Sequence, residues 1–439
     1  MGAFFCPALS GRFVIPPSLV YKPSTLRAGE GGLARRRPGP GAVNRKALKG
    51  NPMKIVLSVV LAAATLVLGA GQGFAYVGLC CAKCGGNMPM NIPGGGIPET
   101  RELRIKVSPM YMRMDGLRDG TSTVAPGDIL GMPAAGKFMA VPTAMDMKML
   151  NLAVGFSFSD RFFGGLMFMY QEKDMDMRFN SGMATMTGMS GFAMRSRGLA
   201  DTMLMTKYRL MANDPLVPTR QASLMMGLNI PTGSIDKRNS NHPVAMRQTE
   251  LLPYGMQLGS GTFDPILGLL YQASSSPWWW GANLTGTFRL YDNQRDYHLG
   301  NRFALDLYGM HQVRYDFLLH LQLNGAIQED IRGEADEAAI GLSGHSTKND
   351  PASTVMTPLW LTDAYGGTKV FVSAGFQWQP VHLQIVDLTL QVPVHQDLNG
   401  PQLEEDYRVM LTWYKEIPTK GSIRHPQGPK ESGASRLGF

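Results

Sequence analysis

The chain has 439 residues, 44% of them hydrophobic and 17% charged, and a formal net charge of +8. Nine basic residues precede Met53 (Arg12, Lys22, Arg27, Arg35, Arg36, Arg37, Arg45, Lys46, Lys49) against the single acid Glu30, so they hold the whole excess and the basic balance gives no ground for a nucleic-acid partner. Four cysteines (Cys6, Cys80, Cys81, Cys84) are too few and too near the start to staple a chain of this length, which excludes a disulfide-held scaffold.

Residues 1–52 are rich in Pro, Gly and Arg without sustained periodicity and read as disordered or as a mis-called extension. Met53-Lys54 then opens an apolar run, Ile55 to Leu68, closed by small residues up to Ala75. The run is shorter than the roughly 20 residues a membrane span needs, so 53–75 reads as a signal peptide with Met53 as initiator and cleavage after Ala75. Residues 76–100 form a Cys/Met/Gly-rich segment expected in the periplasm. Its Cys80, Cys81, Cys84, Met88 and Met90 offer three thiols and two thioethers to a soft ion such as Cu(I), the one cofactor the sequence suggests; the plainer reading is a flexible segment with oxidised thiols.

From Arg101 to Lys415 the pattern has period two, the signature of strands. Twelve are expected: Leu103–Met114, Ala144–Phe158, Phe162–Phe179, Leu199–Met211, Gln221–Pro231, Met256–Ala273, Trp278–Tyr291, Asn301–Tyr315, Phe317–Gln328, Lys369–Trp378, Val381–Val392 and Asp406–Tyr414. The stretch Trp278–Tyr291 is the clearest, with Trp280, Ala282, Leu284, Phe288 and Leu290 on one face and Trp279, Asn283, Thr285, Thr287 and Arg289 on the other. Aromatic rings at both ends of such a strand mark a lipid-facing stave. Pro265 and a phase slip at Val386-Asp387 each predict a bulge. Connections after even-numbered strands are short (Ser159–Arg161, Asn213–Pro215, Ser275–Pro277, Asp316, Gln379-Pro380) and those after odd-numbered strands are long and polar, among them Asn180–Gly198 and His395–Glu405. That rhythm predicts an all-β, transmembrane, antiparallel up-and-down β-barrel of about 12 strands in a bacterial outer membrane, both termini periplasmic, monomeric and in contact with outer-membrane lipid. The tail 416–439 reads as disordered.

Three stretches carry a resemblance: Gly198–Asp201 leading into Lys207–Leu210, Gly227–Asp236, and Leu252–Asp264. They resemble outer-membrane β-barrels of the phenol meta-cleavage pathway family, whose members are often called only transporters. The resemblance implies a Gram-negative, porin-like barrel and uptake of small, in part aromatic, compounds; it supplies no binding residues.

The residues themselves single out methionine. Twenty-one of 30 lie between Met110 and Met226, many two apart, which on a strand puts them on one face. The candidate lumen or solute residues are Met110, Met112, Met114, Met147, Met149, Met167, Met169, Met203, Met205, Lys207, Arg209 and Arg289; Arg104, Lys106, Lys148, Asp306 and Arg314 are expected inside as well. Thioethers make an adaptable wall for apolar solutes or a ladder for Cu(I) or Ag(I), working with a periplasmic metal carrier. The histidines are scattered, and Tyr297–Asn301 offers His298 no serine of the kind an outer-membrane phospholipase requires, so no catalytic residue is expected. The expected function is a channel or transporter for small solutes; the alternatives are a barrel that passes soft metal ions and a closed structural or sensing barrel.

Overall fold

The computed structural model describes residues 88–92, 101–132, 135, 137–214, 218–337, 355–422 and 424–428. The chain divides into two units after Lys49. The first unit, the expected signal peptide and Cys80, Cys81 and Cys84 lie outside the described residues.

The described strands are β1 (Glu102–Gly120), β2 (Ser122–Val124), β3 (Ala140–Ser157), β4 (Phe162–Phe179), β5 (Gly191–Leu199), β6 (Thr202–Ala212), β7 (Arg220–Ile230), β8 (Asp264–Ser275), β9 (Trp278–Thr287), β10 (Tyr297–His298), β11 (Arg302–Arg314), β12 (Phe317–Gln328), β13 (Arg332–Gly333), β14 (Gly367–Val381) and β15 (Gln384–Pro418). All pairing among them is antiparallel, and β15 pairs back onto β1 from Glu102↔Pro418 upward, which closes the ring. Two strands need care in counting. β5 and β6 lie end to end against β4, interrupted at Ala200-Asp201, and make one stave. β15 doubles back: Gln384–Leu398 pairs with β14 and Leu398–Pro418 with β1, while the Glu416 amide donates to the Leu383 carbonyl across the hairpin. Gly400, at φ +72°, supplies the left-handed residue of that turn. With β5/β6 as one stave, β15 as two and the short β2, β10 and β13 set aside, the described barrel has twelve.

Alternation sorts each stave into a lipid face and a lumen face. Leu150, Leu152, Leu166, Phe168, Leu204, Leu267, Leu269, Trp280, Leu284, Leu305, Leu307, Leu321, Leu323, Leu411 and Trp413 are all exposed. A continuous apolar band of this kind has no stable place in water; in lipid it costs nothing. The row through Trp280 and Leu284 is part of it, and Trp279 and Asn283 on the other face are buried. No helix among the described residues is long and apolar enough to cross a membrane; the strands do so.

Strands β3 and β4 have 18 residues each, well beyond the about 9–11 that a tilted strand needs for the hydrocarbon layer, so their far ends stand clear of it. There the outward face becomes charged, with Lys148, Glu172, Asp174, Arg195 and Arg197 all exposed. Lys148 is thus a correction. It is paired opposite Tyr111 and shares the outward face, not the lumen, because outside the apolar band polarity no longer tells in from out. Arg314, also expected inside, sits exposed at the end of β11 and pairs with Asp316 at 2.9 Å.

Other expectations shift as well. The loop expected at Asn180–Gly198 is a short helix, Ser181–Thr187, followed by β5 from Gly191, and the loop expected at His395–Glu405 is strand and a tight turn. Pro265 makes no bulge: as the second residue of β8 it pairs in register with Leu228. Val386 and Asp387 face Trp378 and Gln377 in register, and the ladder shifts right beside them, between Trp378↔Val386 and Val381↔Gln384, so the bulge expected near Val386-Asp387 is there; a second shift lies at Val370/Phe371, against Pro393 and His395. Ile385, which falls within the first of these shifts, is an apolar residue turned inward, where it packs against chain inside the lumen. The tail expected to lack structure from Glu416 continues as strand to Pro418, and Arg424 then pairs with Glu102 and with Glu416 at 2.8 Å.

Two pieces of chain fill the lumen. From the rim of long loops the connection 231–263 folds inward, where Leu252 and Met256 pack against the inner faces of β1, β3, β4 and β5. The Lys173 amine anchors it, donating to the Gly255 and Gln257 carbonyls at 2.9 and 2.6 Å. Nearer the other rim sits Met88–Ile92, with Met88 and Ile92 buried among Leu270, Trp279, Tyr308, Met310, Leu318, Ile385 and Tyr414.

Candidate functional site in the lumen

The segment Met88–Ile92 is held by its backbone as firmly as by its side chains. The Gln377 side-chain amide donates to the Met88 carbonyl at 2.7 Å, the Lys106 amine donates to the Met90 carbonyl at 3.0 Å, and the Met90 amide reaches Asp387 at 3.4 Å. Asn91 and Gln322 exchange two amide hydrogen bonds at 2.9 Å each. Strands β1, β12, β14 and β15 thus present a lining cut to this segment. Met88 and Met90, expected beside the cysteines as metal ligands, lie here inside the barrel: Met88 in an apolar cluster, Met90 packed against it.

Between the segment and the wall of β1, β3, β4 and β6 is a cavity of about 250 Å³, lined by Met88, Met90, Lys106, Met167, Met203, Met205 and Met410 among others. A second cavity of about 320 Å³ lies toward the loops, lined by Met167, Met169, Met203, Tyr254, Asp264, Arg289 and Tyr365 among others. The two share Met167 and Met203, so thioethers run from one into the other.

The methionine ladder therefore divides. Met167, Met169, Met203 and Met205 border cavities. Met114 and Met147, with Met145, Met175, Met177 and Met194, pack under the infolded loop as a core, a use that suits the unbranched, adaptable thioether. Met112 is buried, and Met110 and Met149 are half-buried partners across β1 and β3. Of the expected basic residues, Lys207 is fully buried, Arg209 pairs with Asp160 at 3.4 Å, and Arg289 lies 3.6 Å from Asp264 and donates to the Gly300 carbonyl at 2.8 Å.

The opposite wall is polar. Asn324 donates to Asp306 at 2.8 Å and accepts from Ser373 at 2.6 Å and Gln391 at 3.1 Å; Glu405 accepts from Lys369 at 2.8 Å and pairs with Arg408. One side of the lumen is sulfur and hydrocarbon, the other amide and carboxylate. Gln377 and Asp387 carry no motif, and only their inward parity could have singled them out.

The stretches behind the family resemblance meet at one place. The Asp201 carboxylate, at the break between β5 and β6, accepts from the Gly233 amide at 3.0 Å and from the Ser260 amide and hydroxyl at 2.8 and 3.0 Å. Gly233 and Gly259 press together so closely that a Cβ on Gly233 would lie 2.7 Å from the Gly259 Cα. The motif is a latch that holds the infolded loop.

Residues 155–348 match the family model described as "Putative MetA-pathway of phenol degradation". The chain is similar to the phenol-degradation barrel family. The match covers the latch and the staves from the end of β3 to β12, the part of the chain that builds the loop-side cavity. Among solved structures, an outer membrane channel from Pseudomonas putida F1 is 11% identical, covering 72% of this chain and 96% of that one at a TM-score of 0.46. The Pseudomonas putida toluene transporter TodX is 8% identical, with 79% and 99% covered and a TM-score of 0.38. The NanC porin is 8% identical, with 72% and 100% covered and a TM-score of 0.33. No curated protein sequence matches the chain.

Proposed function

We propose that this barrel carries small, largely apolar solutes, aromatic ones among them, across a bacterial outer membrane through its lumen, with the rim of short turns toward the periplasm. The observation that carries the reading is the pair of adjoining cavities that share Met167 and Met203 and give the solute one thioether-walled path. Thioethers suit apolar bodies of varied shape, since they are polarizable and repack easily. The likeness to a phenol-degradation family agrees with that solute class. Met88–Ile92 closes the path on the short-turn side, so passage requires the segment to move.

A second reading, transfer of a soft ion such as Cu(I), draws on the same thioethers, six of which border the smaller cavity. Uptake by cells with an intact lipopolysaccharide outer membrane separates the two. Cells that carry the protein should take up labelled phenol several-fold faster than cells without it, and removal of Met88–Ile92 should raise single-channel conductance in planar bilayers. Equal phenol uptake with faster Cu(I) uptake would favour the second reading, and no change in either would leave a closed barrel.

A further inference from the structure

The smaller cavity joins two features that an apolar conduit does not need together. One wall is thioether, and on it opens Lys106. An ammonium has three donors, and Lys106 gives one to the Met90 carbonyl at 3.0 Å. A charge held away from bulk water is stable when a counter-charge meets it. The carboxylate across the lumen, Asp387, acts on Lys106 only through space and spends its hydrogen bonds elsewhere: it accepts from Thr389 at 2.8 Å and Gln377 at 3.1 Å and lies 3.4 Å from His320. The neighbouring cation on β1, Arg104, has its own partner in Glu416 at 2.6 Å.

We propose that this cavity binds a small organic acid with an apolar body, its carboxylate on Lys106 and its body against Met167, Met203, Met205 and Met410. A metal cation would meet the Lys106 ammonium on that wall and be repelled. A plain hydrocarbon would fill the thioether side and leave two of the ammonium's three donors without an acceptor among the described residues. A volume of about 250 Å³ sits just under the about 300 Å³ at which ligand pockets usually begin, so the ligand is a small one. The site rests on the reading of the lumen as the solute path, but its occupancy does not require passage.

The test is calorimetric titration of the full chain, folded in detergent micelles, with benzoate, hexanoate, acetate, toluene and Cu(I). Benzoate and hexanoate should bind at one site, and acetate and toluene at least tenfold more weakly. Lys106→Met should lose carboxylate binding at least tenfold and Lys106→Arg should restore it, with folding checked by the heat-dependent gel shift of the barrel. Met203→Glu, which sets a carboxylate of the protein's own on that wall, should abolish binding without touching Lys106. Toluene bound as tightly as benzoate, Cu(I) bound in place of both, or carboxylate binding unchanged in Lys106→Met and Met203→Glu would each overturn the proposal. Binding in micelles without uptake by cells would retain this site and reject the transport reading; uptake without binding would do the reverse.

Discussion

His242 shows how far the infolded loop alters a single side chain. Its ring lies 4.5 Å from Phe192 and 6.0 Å from Phe179, edge against face. Burial, and then the positive charge of Arg247, push its pKa down to about 4. The fold thus holds the imidazole neutral, while the unfolded loop protonates it near the ordinary value of about 6.5. Between those values the unfolded form binds more protons, so the stability this group contributes is complete above about pH 6.5 and is lost as pH falls toward 4. Amide hydrogen exchange in 231–263, corrected for intrinsic rates, should accelerate across that window in the native chain, and His242→Phe should flatten the dependence. Tight packing sets other single positions too. A Cβ on Gly281 would stand 2.3 Å from the Tyr308 hydroxyl and 2.5 Å from the Tyr271 carbonyl, so the glycine in β9 is what lets Tyr308 turn inward beside Met88.

At the scale of elements, the latch at Asp201 joins β5/β6 to the loop that fills the lumen. Its three hydrogen bonds to the carboxylate are charge-assisted, of about 1.5–3 kcal/mol each when the partners are buried. Asp201→Ala should therefore free the loop while the staves stay paired. Trypsin would then cut at Lys237 and Arg238 in the folded protein, where the native chain resists. Arg295 backs the latch from outside, pairing with Asp236, Asp336 and Glu337 at 2.7–3.1 Å and so tying three loops together.

The staves were legible in the sequence wherever they cross the apolar band. β4 and β12 begin and end at the predicted residues, Phe162–Phe179 and Phe317–Gln328, because there leucine against amide or thioether marks the two faces. β5 was not legible. It stands clear of the band, with Arg195 and Arg197 outward and Met194 inward, so the usual sign of the pattern is reversed. Spacing put the strand methionines on a shared face, but spacing alone could not tell a cavity wall from a core beneath a loop. The site's most distinctive polar group, Lys106, looked like any other inward charge because its partner, the Met90 carbonyl, belongs to a segment with no strand pattern.

Over the whole molecule, stability comes from two interiors of opposite kind: lipid around the band, and a half-sulfur, half-amide filling within. Leu284, exposed near the middle of β9, belongs to the first. Leu284→Arg should cost about 2–4 kcal/mol if it lies near the bilayer midplane, read as a lower urea midpoint in phospholipid vesicles, whereas Thr285→Arg, on the lumen face, should cost less and change conductance instead. Closure of the ring has its own bearing on assembly. Apart from the Lys106 bond, the hydrogen bonds that seat Met88–Ile92 come from Gln322, Gln377 and Asp387, some 231 to 297 positions further along the chain. Non-local contacts of that span form late, and the β1–β15 seam is the join that shuts the cylinder. Met88–Ile92 must therefore wait, only loosely held, for the last third of the protein to arrive, and be drawn inside before the final hairpin zips home.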